Sequence, residues 1–268
     1  MLHRHHRLRA WAGTAEAYEA PIPMKQTFTA IVCAYNEATV LPACLFSLLA
    51  QTRPPDEILI VNNASSDDTG AIARSIPGVR VIDEPSKGLV IARETARREA
   101  SGDILAYVDA DCRSPLQWLE RVERRFEARR SLVAVTGPYQ FYDWDWTGRA
   151  LLRAYDWLVA PPTHAIVHHE LGLGAILYGG NFAVRRSALA AIGGFDATVD
   201  FHGEDTNLGR RLTPLGRVEL AGDCWVWTSA RRYQVMGKWA VFSLYARNFW
   251  SEILRHRPAD RDHIDVRI

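Results

Sequence analysis

Between residues 28 and 111 short apolar runs alternate with amphipathic stretches, and this alternation limits the folds open to the chain. Residues 28–33 (FTAIVC) read as a buried strand, and 39–51 carries helical spacing through Leu41, Leu45, Leu48 and Leu49. A second strand over 57–61 runs into a polar loop. Asp67 and Asp68 then open a helix reaching about Ser75, where acidic residues suit the positive end of the helix dipole. Strand 79–82, helix 87–100 and strand 104–108 complete the series. Such alternation is the signature of an α/β fold with a mostly parallel sheet flanked by helices.

Ligands of such sheets bind beyond the carboxyl ends of the strands. The residues that follow each apolar run are AYNE (34–37), NNASSD (62–67), PSKG (85–88) and Asp109-Ala110-Asp111. Polar, acidic and small groups therefore gather on one edge, as a nucleotide–metal site requires. No glycine-rich dinucleotide loop or P-loop follows a strand, which removes most of the support for NAD or P-loop chemistry.

The second half is less regular. It reads as a strand over 132–136, a helix over 147–159, a strand over 178–184 with close backbone approach at Gly179 and Gly180, a helix over 204–212 and a strand over 224–228. Without a repeat or a linker, 27–240 is expected to be one domain. Residues 1–26 are expected to be a mobile tail, and 241–268 a C-terminal amphipathic helix and tail. Trp239, Phe242, Ala246, Phe249 and Ile253 recur at helical spacing. Such a stripe packs on its own domain or lies in a membrane interface, and both readings stay open. Tyr139, Tyr142, Trp144, Trp146 and Trp157 could equally stack on sugar faces or fill a core.

Composition excludes a disordered chain and a disulfide scaffold. Cys33, Cys44, Cys112 and Cys224 lack CxxC or zinc spacing and read as reduced core residues, which favours the cytoplasm. No run approaches the roughly 18–20 apolar residues of a membrane span, and the basic, His-rich start lacks the apolar segment of a signal peptide. Both ends are net basic around a net acidic middle. That distribution fits peripheral contact with an anionic membrane leaflet, or simply solvated tails, and nothing points to nucleic acid.

Three clusters could carry chemistry. Asp109 and Asp111, one residue apart at a strand end, offer hard oxygen ligands to Mn²⁺ or Mg²⁺, ions that complete their shell with substrate phosphates and water. Acidic pairs also cap helices, so the motif gains weight from its place in the alternation. Glu204 and Asp205 follow Gly203 at a helix start, where a carboxylate can act as general base or merely satisfy the helix dipole. Lys87 and Arg93 could pair with phosphate, brace the base, or form an exposed basic face.

The runs TAIVCAYNE (29–37), VNNASSDDT (61–69), Lys87-Gly88 with Ala92-Arg93, VDAD (108–111), GGNFAVRR (179–186), IGGFD (192–196) and Gly203-Glu204-Asp205 occur in the order seen in family 2 glycosyltransferases. The resemblance covers roughly 28–240, and the ordered set is far more specific than any one motif. It implies a GT-A (Rossmann-like) fold with a C-terminal acceptor-side region, a nucleotide-sugar donor and inversion at the anomeric carbon. It makes Asp109 and Asp111 the donor and metal residues, with Asp111 the more direct ligand. Asp205 becomes the base with Glu204 in support, and Ala34, Tyr35 and Glu37 border the nucleotide pocket.

Two departures matter. The loop after the second strand usually carries Asp that contacts the base, whereas this chain has Asn62 and Asn63, which bring no charge. UDP is the first expectation for the nucleotide and GDP stays open. The C-terminal segment offers Arg231-Arg232 and Lys238-Trp239 in place of the tryptophan motif and spans of processive synthases. Transfer of single sugars to a glycan, lipid-linked or small-molecule acceptor is therefore expected. Arg231 and Arg232 would touch the diphosphate or sit on the surface. The competing readings are a non-catalytic binding module on a degenerate scaffold and, with less support, a nucleotidyltransferase, which would need a glycine-rich basic loop where AYNE stands.

Overall fold

The computed structural model describes residues 25–199 and 202–260. Almost all of the expected mobile tail and the end of the C-terminal segment lie outside the described residues. The alternation is realised as β1 (Phe28–Ala34), α1 (Leu41–Leu49), β2 (Glu57–Asn63), α2 (Thr69–Ser75), β3 (Arg80–Glu84), α3 (Leu89–Glu99) and β4 (Ile104–Val108). These strands pair in parallel, β3 with β2, β2 with β1 and β1 with β4.

The chain continues through α4 (Trp118–Ala128), β5 (Leu132–Thr136), β6 (Tyr139–Phe141), α5 (Trp146–Ala154), α6 (Ala160–His164), β7 (Asn181–Arg185), α7 (Arg186–Ala191), α8 (Glu204–Leu212), β8 (Arg217–Leu220), β9 (Val226–Thr228), α9 (Arg231–Met236) and α10 (Lys238–Arg255). The main sheet has the order β3-β2-β1-β4-β7-β5-β8. β7 is reversed against both β4 and β5, whereas β5 and β8 are parallel. β6 and β9 form a small parallel pair beside it.

The two-residue period of a strand sorts the core into two layers. Phe28, Ala30 and Val32 of β1 share one layer with Ile58, Ile60, Ile104, Leu45 and Trp118. Ile31 of the same strand faces the other, with Leu59, Val61, Leu105, Val90 and Leu208. Residues buried on both faces explain why these strands read as unbroken apolar runs.

The short β6, α6, α7, β8 and α9 go unread in the sequence, and other elements differ from their reading. α4 goes unread because Glu and Arg surround its apolar face, although Trp118, Leu119, Val122 and Phe126 all turn inward. The helix expected over 147–159 keeps α form only to Ala154, and π-helical turns at Tyr155–Val159 and Ala165–Glu170 flank α6. Pro161 and Pro162 lie inside this stretch and withhold the N–H groups that regular bonding needs. The strand expected from 178 begins only at Asn181, because Gly179 and Gly180 lie in a turn closed by Asn181 N–H donating to the Tyr178 carbonyl at 2.8 Å. β9 is shorter than the expected 224–228.

The terminal helix begins at Lys238, ahead of the boundary expected at 241, and packs on α8 and α9. Its buried face is Val241, Leu244, Asn248, Ser251, Glu252 and Ile253. Of the stripe picked from sequence only Ile253 belongs to it; Phe242 and Phe249 are half-buried, and Trp239 and Ala246 are exposed. Polar groups turn inward here because they have partners. Glu252, fully buried, accepts from Asn207 Nδ2 at 3.0 Å and Arg210 Nε at 3.1 Å. Glu252→Ala should therefore cost about 2–3 kcal/mol, less than a wholly buried pair because Arg210 keeps solvent contact. Thermal denaturation would show this as a drop of a few degrees. An unchanged midpoint would mean that apolar contacts alone hold the helix.

Candidate active site

The strand ends of β1, β2 and β4 open into a cleft of about 1020 Å³, closed on its far side by α8, α9 and α10. The loops after β1 and β2 are sewn together. Asn36 N–H donates to Ser65 Oγ at 3.1 Å, Asn36 Oδ1 accepts from Ser66 N–H at 2.8 Å, and Glu37 N–H donates to Thr69 Oγ1 at 2.8 Å. Asn36 takes a left-handed backbone (φ 50°), a conformation that Asn tolerates better than most residues. This fixes Ala34, Tyr35 and Glu37 along one wall. Lys87 reaches over the Tyr35 ring, 4.0 Å from its centroid, and donates to the Tyr35 hydroxyl at 2.8 Å.

Asn62 and Asn63 part company. Successive side chains of β2 point to opposite faces. Asn63 lines the cleft, accepts from Gly88 N–H at 2.8 Å and donates to the Ser86 carbonyl at 2.7 Å. Asn62 turns away from it and donates to Asp83 at 2.8 Å. Of the two positions expected to meet a nucleotide, the structure puts one on the cleft.

Asp109 and Asp111 project from the end of β4. A Cβ on Gly180 would lie 2.2 Å from Asp109 Oδ2, so only glycine lets β7 start this close. The Asp109 side chain is 48% exposed, whereas Asp111 is buried. Burial pushes the Asp111 carboxyl up to about 7, and Arg231 opposes that rise. Thr228 Oγ1 donates to Asp111 Oδ1 at 3.3 Å, a partner that no local sequence signal marks.

Two arginines organise the acidic groups. Arg93 of α3 forms an ion pair with Glu204 of α8, lies 3.8 Å from Asp109 and donates to the Gly179 carbonyl at 2.7 Å. Burial disfavours its charge, but Glu204 and Asp109 outweigh this and hold its pKa above the ordinary value. Glu204 itself is pushed up to about 7 by burial, with Arg93 opposing. Arg231, at the start of α9, donates to both Glu37 oxygens at 2.9 and 2.5 Å and lies 3.1 Å from Asp111 Oδ2.

Asp205 lines the cleft beside Glu204, and burial raises its carboxyl above the usual range. Its Oδ1 accepts from Thr206 N–H at 2.7 Å. Arg232 also lines the cleft. So all of the residues expected to serve the donor, metal or base except Asn62 line one cavity, whereas of the aromatics weighed as sugar platforms only Tyr139 does. Sequence reasoning missed Tyr178, whose hydroxyl donates to Asp156 at 2.5 Å, with burial pushing Asp156 up to about 6. Both lie where the periodicity is broken.

Among the described residues no cluster of three or more His, Cys, Asp or Glu is placed to hold a metal by itself. Two carboxylates at a strand end do fit an ion that takes its remaining ligands from substrate oxygens and water.

Residues 29–193 match the family described as Glycosyl transferase family 2. Glycosyltransferase AglE of Haloferax volcanii is 39% identical over 98 residues, 34% of this chain and 32% of that protein. The chain thus spans about a third of that curated relative's length. Among solved structures, the mannosyltransferase PcManGT of Pyrobaculum calidifontis, in complex with GDP-Man and Mn²⁺, superposes with a TM-score of 0.63 at 22% identity, over 91% of this chain and 67% of that one. Glucosyl-3-phosphoglycerate synthase of Mycobacterium tuberculosis, with Mn²⁺, UDP and phosphoglyceric acid, gives 0.59 at 18% identity, over 86% and 78%. The likeness shows the GT-A arrangement of sheet and helices. With the family match over most of the chain, it follows that this protein belongs to glycosyltransferase family 2.

Proposed function

We propose that the protein transfers a single hexose-type sugar from a nucleotide-sugar donor to a hydroxyl of an envelope glycan, glycolipid or small-molecule acceptor, with inversion. The observation that carries this reading is the convergence of Asp109, Asp111, Glu204 and Asp205 with Arg93 and Arg231 on one cleft. The solved neighbours hold GDP-Man in one case and UDP in the other, and both hold Mn²⁺, so these are the nucleotides and the metal to test first, with Mg²⁺ beside it. Four free cysteines support a cytoplasmic setting, and no described helix is long and apolar enough to cross a membrane, so contact with the inner leaflet would be peripheral.

Asp109 and Asp111 would hold the divalent ion, which when bound neutralises charge on the departing diphosphate. Arg231 lies beside Asp111 and would share that task. Asn63, Tyr35, Glu37 and Lys87 would border the nucleoside. Glu204 is committed to Arg93, which leaves Asp205 as the carboxylate able to take a proton. Its raised pKa strengthens it as a base, and it lines the cleft where an acceptor would bind. In one in-line displacement the acceptor oxygen bonds to the anomeric carbon as the bond to the diphosphate breaks. The hydroxyl proton passes to Asp205, and the nucleoside diphosphate leaves with the bonding pair.

Asp205→Asn should lower kcat by about 10²–10⁴ while donor affinity stays nearly unchanged. Steady-state kinetics beside donor titration would check this, and wild-type turnover would remove Asp205 as the base. Asp111→Ala should abolish the dependence of donor binding on metal. If donor titrations with and without Mn²⁺ still differ as in the wild type, Asp111 is not a ligand.

A further inference from the structure

Residues 154–167 carry one charged side chain, Asp156, although much of the segment lies at the surface. Trp157 is 81% exposed and Leu158 73%. Near its two ends α10, whose middle lines the cleft, exposes Trp239 at 75% and Leu254 at 67%. These side chains form an apolar collar around the cleft, and large apolar groups exposed together mark an interaction surface more often than scattered ones do.

Two observations decide what covers it. The first is continuity with the cleft, because Val159, Tyr245 and Trp250 are partly exposed on the collar and also line the cavity. Further in, the walls are Leu152, Tyr155, Phe242 and Phe249, and the cavity continues to Asp205. The Tyr155 and Phe242 rings lie 6.3 Å apart, so this segment and α10 meet across one arm. The cleft therefore has a polar end, at Asp111 and Arg231, and an apolar arm that opens through the collar. The second observation is charge. Arg149 and Arg153 are exposed on α5, and Arg247 and Arg255 on α10. Exposed tryptophan flanked by arginine suits the boundary between lipid headgroups and acyl chains. A second copy placed face to face would oppose like charges across a two-fold interface.

We propose that this collar docks on an anionic lipid bilayer and that the apolar arm of the cleft opens toward the bilayer. The docking surface stands without the transferase reading; under that reading the arm would also be the entrance for a lipid-linked acceptor, and that part alone rests on it. The test is flotation of the full chain with vesicles of phosphatidylcholine alone or mixed with phosphatidylglycerol, comparing the wild type with Trp157→Glu/Leu158→Glu. Both side chains are exposed, so the variant should keep its thermal midpoint, and titration of UDP and GDP with Mn²⁺ is run on both proteins.

The wild type should float with the mixed vesicles at least about tenfold better than the variant, and less well with phosphatidylcholine alone. Flotation without nucleotide binding would uphold docking while the transferase reading fails. A wild type that stays down with every composition but binds nucleotide would overturn docking. Equal flotation of the variant would overturn the assignment to this surface. A concentration-dependent dimer lost in the variant would give the collar to a second copy and overturn the proposal.

Discussion

The buried contact between Arg93 and Glu204 is the interaction on which the arrangement of the site depends. It ties α3, in the first half of the chain, to α8 in the second, and the same guanidinium reaches the Gly179 carbonyl and the neighbourhood of Asp109. Removing two charges from water costs several kcal/mol each, so such a pair adds little to net stability. Its effect is registration. Once Arg93 is buried, the fold that leaves it unpartnered is the one most penalised. The arrangement that satisfies it sets the acidic start of α8 opposite the acidic end of β4. Burial raises the Glu204 carboxyl, and the arginine opposes that rise.

Arg231 does the corresponding work on the other side. Its two bonds to Glu37 close the C-terminal helices over the loop after β1, and the same group lies beside Asp111. Carboxylates and basic groups of the cleft thus already share contacts. A nucleoside diphosphate with its cation would enter a network of this kind by exchanging partners, which keeps preorganisation high and reorganisation small. The glycine pair ahead of β7 is what makes room, since side chains there would strike Asp109 and Glu204.

Legibility in the sequence followed the range of the interactions. Asp109 and Asp111 were readable because a strand end and an alternating pattern are local. The paired layers of the sheet were readable for the same reason. Asn62 was misplaced because residue type gave no hint of which strand face it would occupy. α4 was missed because a narrow apolar face lay hidden among charges, and the π-helical turns because two prolines broke the period. The inward face of α10 is not legible because Asn248 and Glu252 are buried by partners on α8 and in the segment after α10, which no local rule supplies. The link between Glu37 and Arg231 spans 194 positions, beyond the reach of any window.

The central claim is that this cleft binds a nucleoside diphosphate through a metal held by Asp109 and Asp111. Thermal unfolding of the full chain with UDP or GDP, each with and without Mn²⁺, addresses it most directly. At about a hundred times its dissociation constant a ligand stabilises by about 2.7 kcal/mol, or a few degrees for a chain of this size. A rise with one nucleotide that requires Mn²⁺ is the expected result. No rise with either nucleotide in the presence of Mn²⁺ would contradict the account.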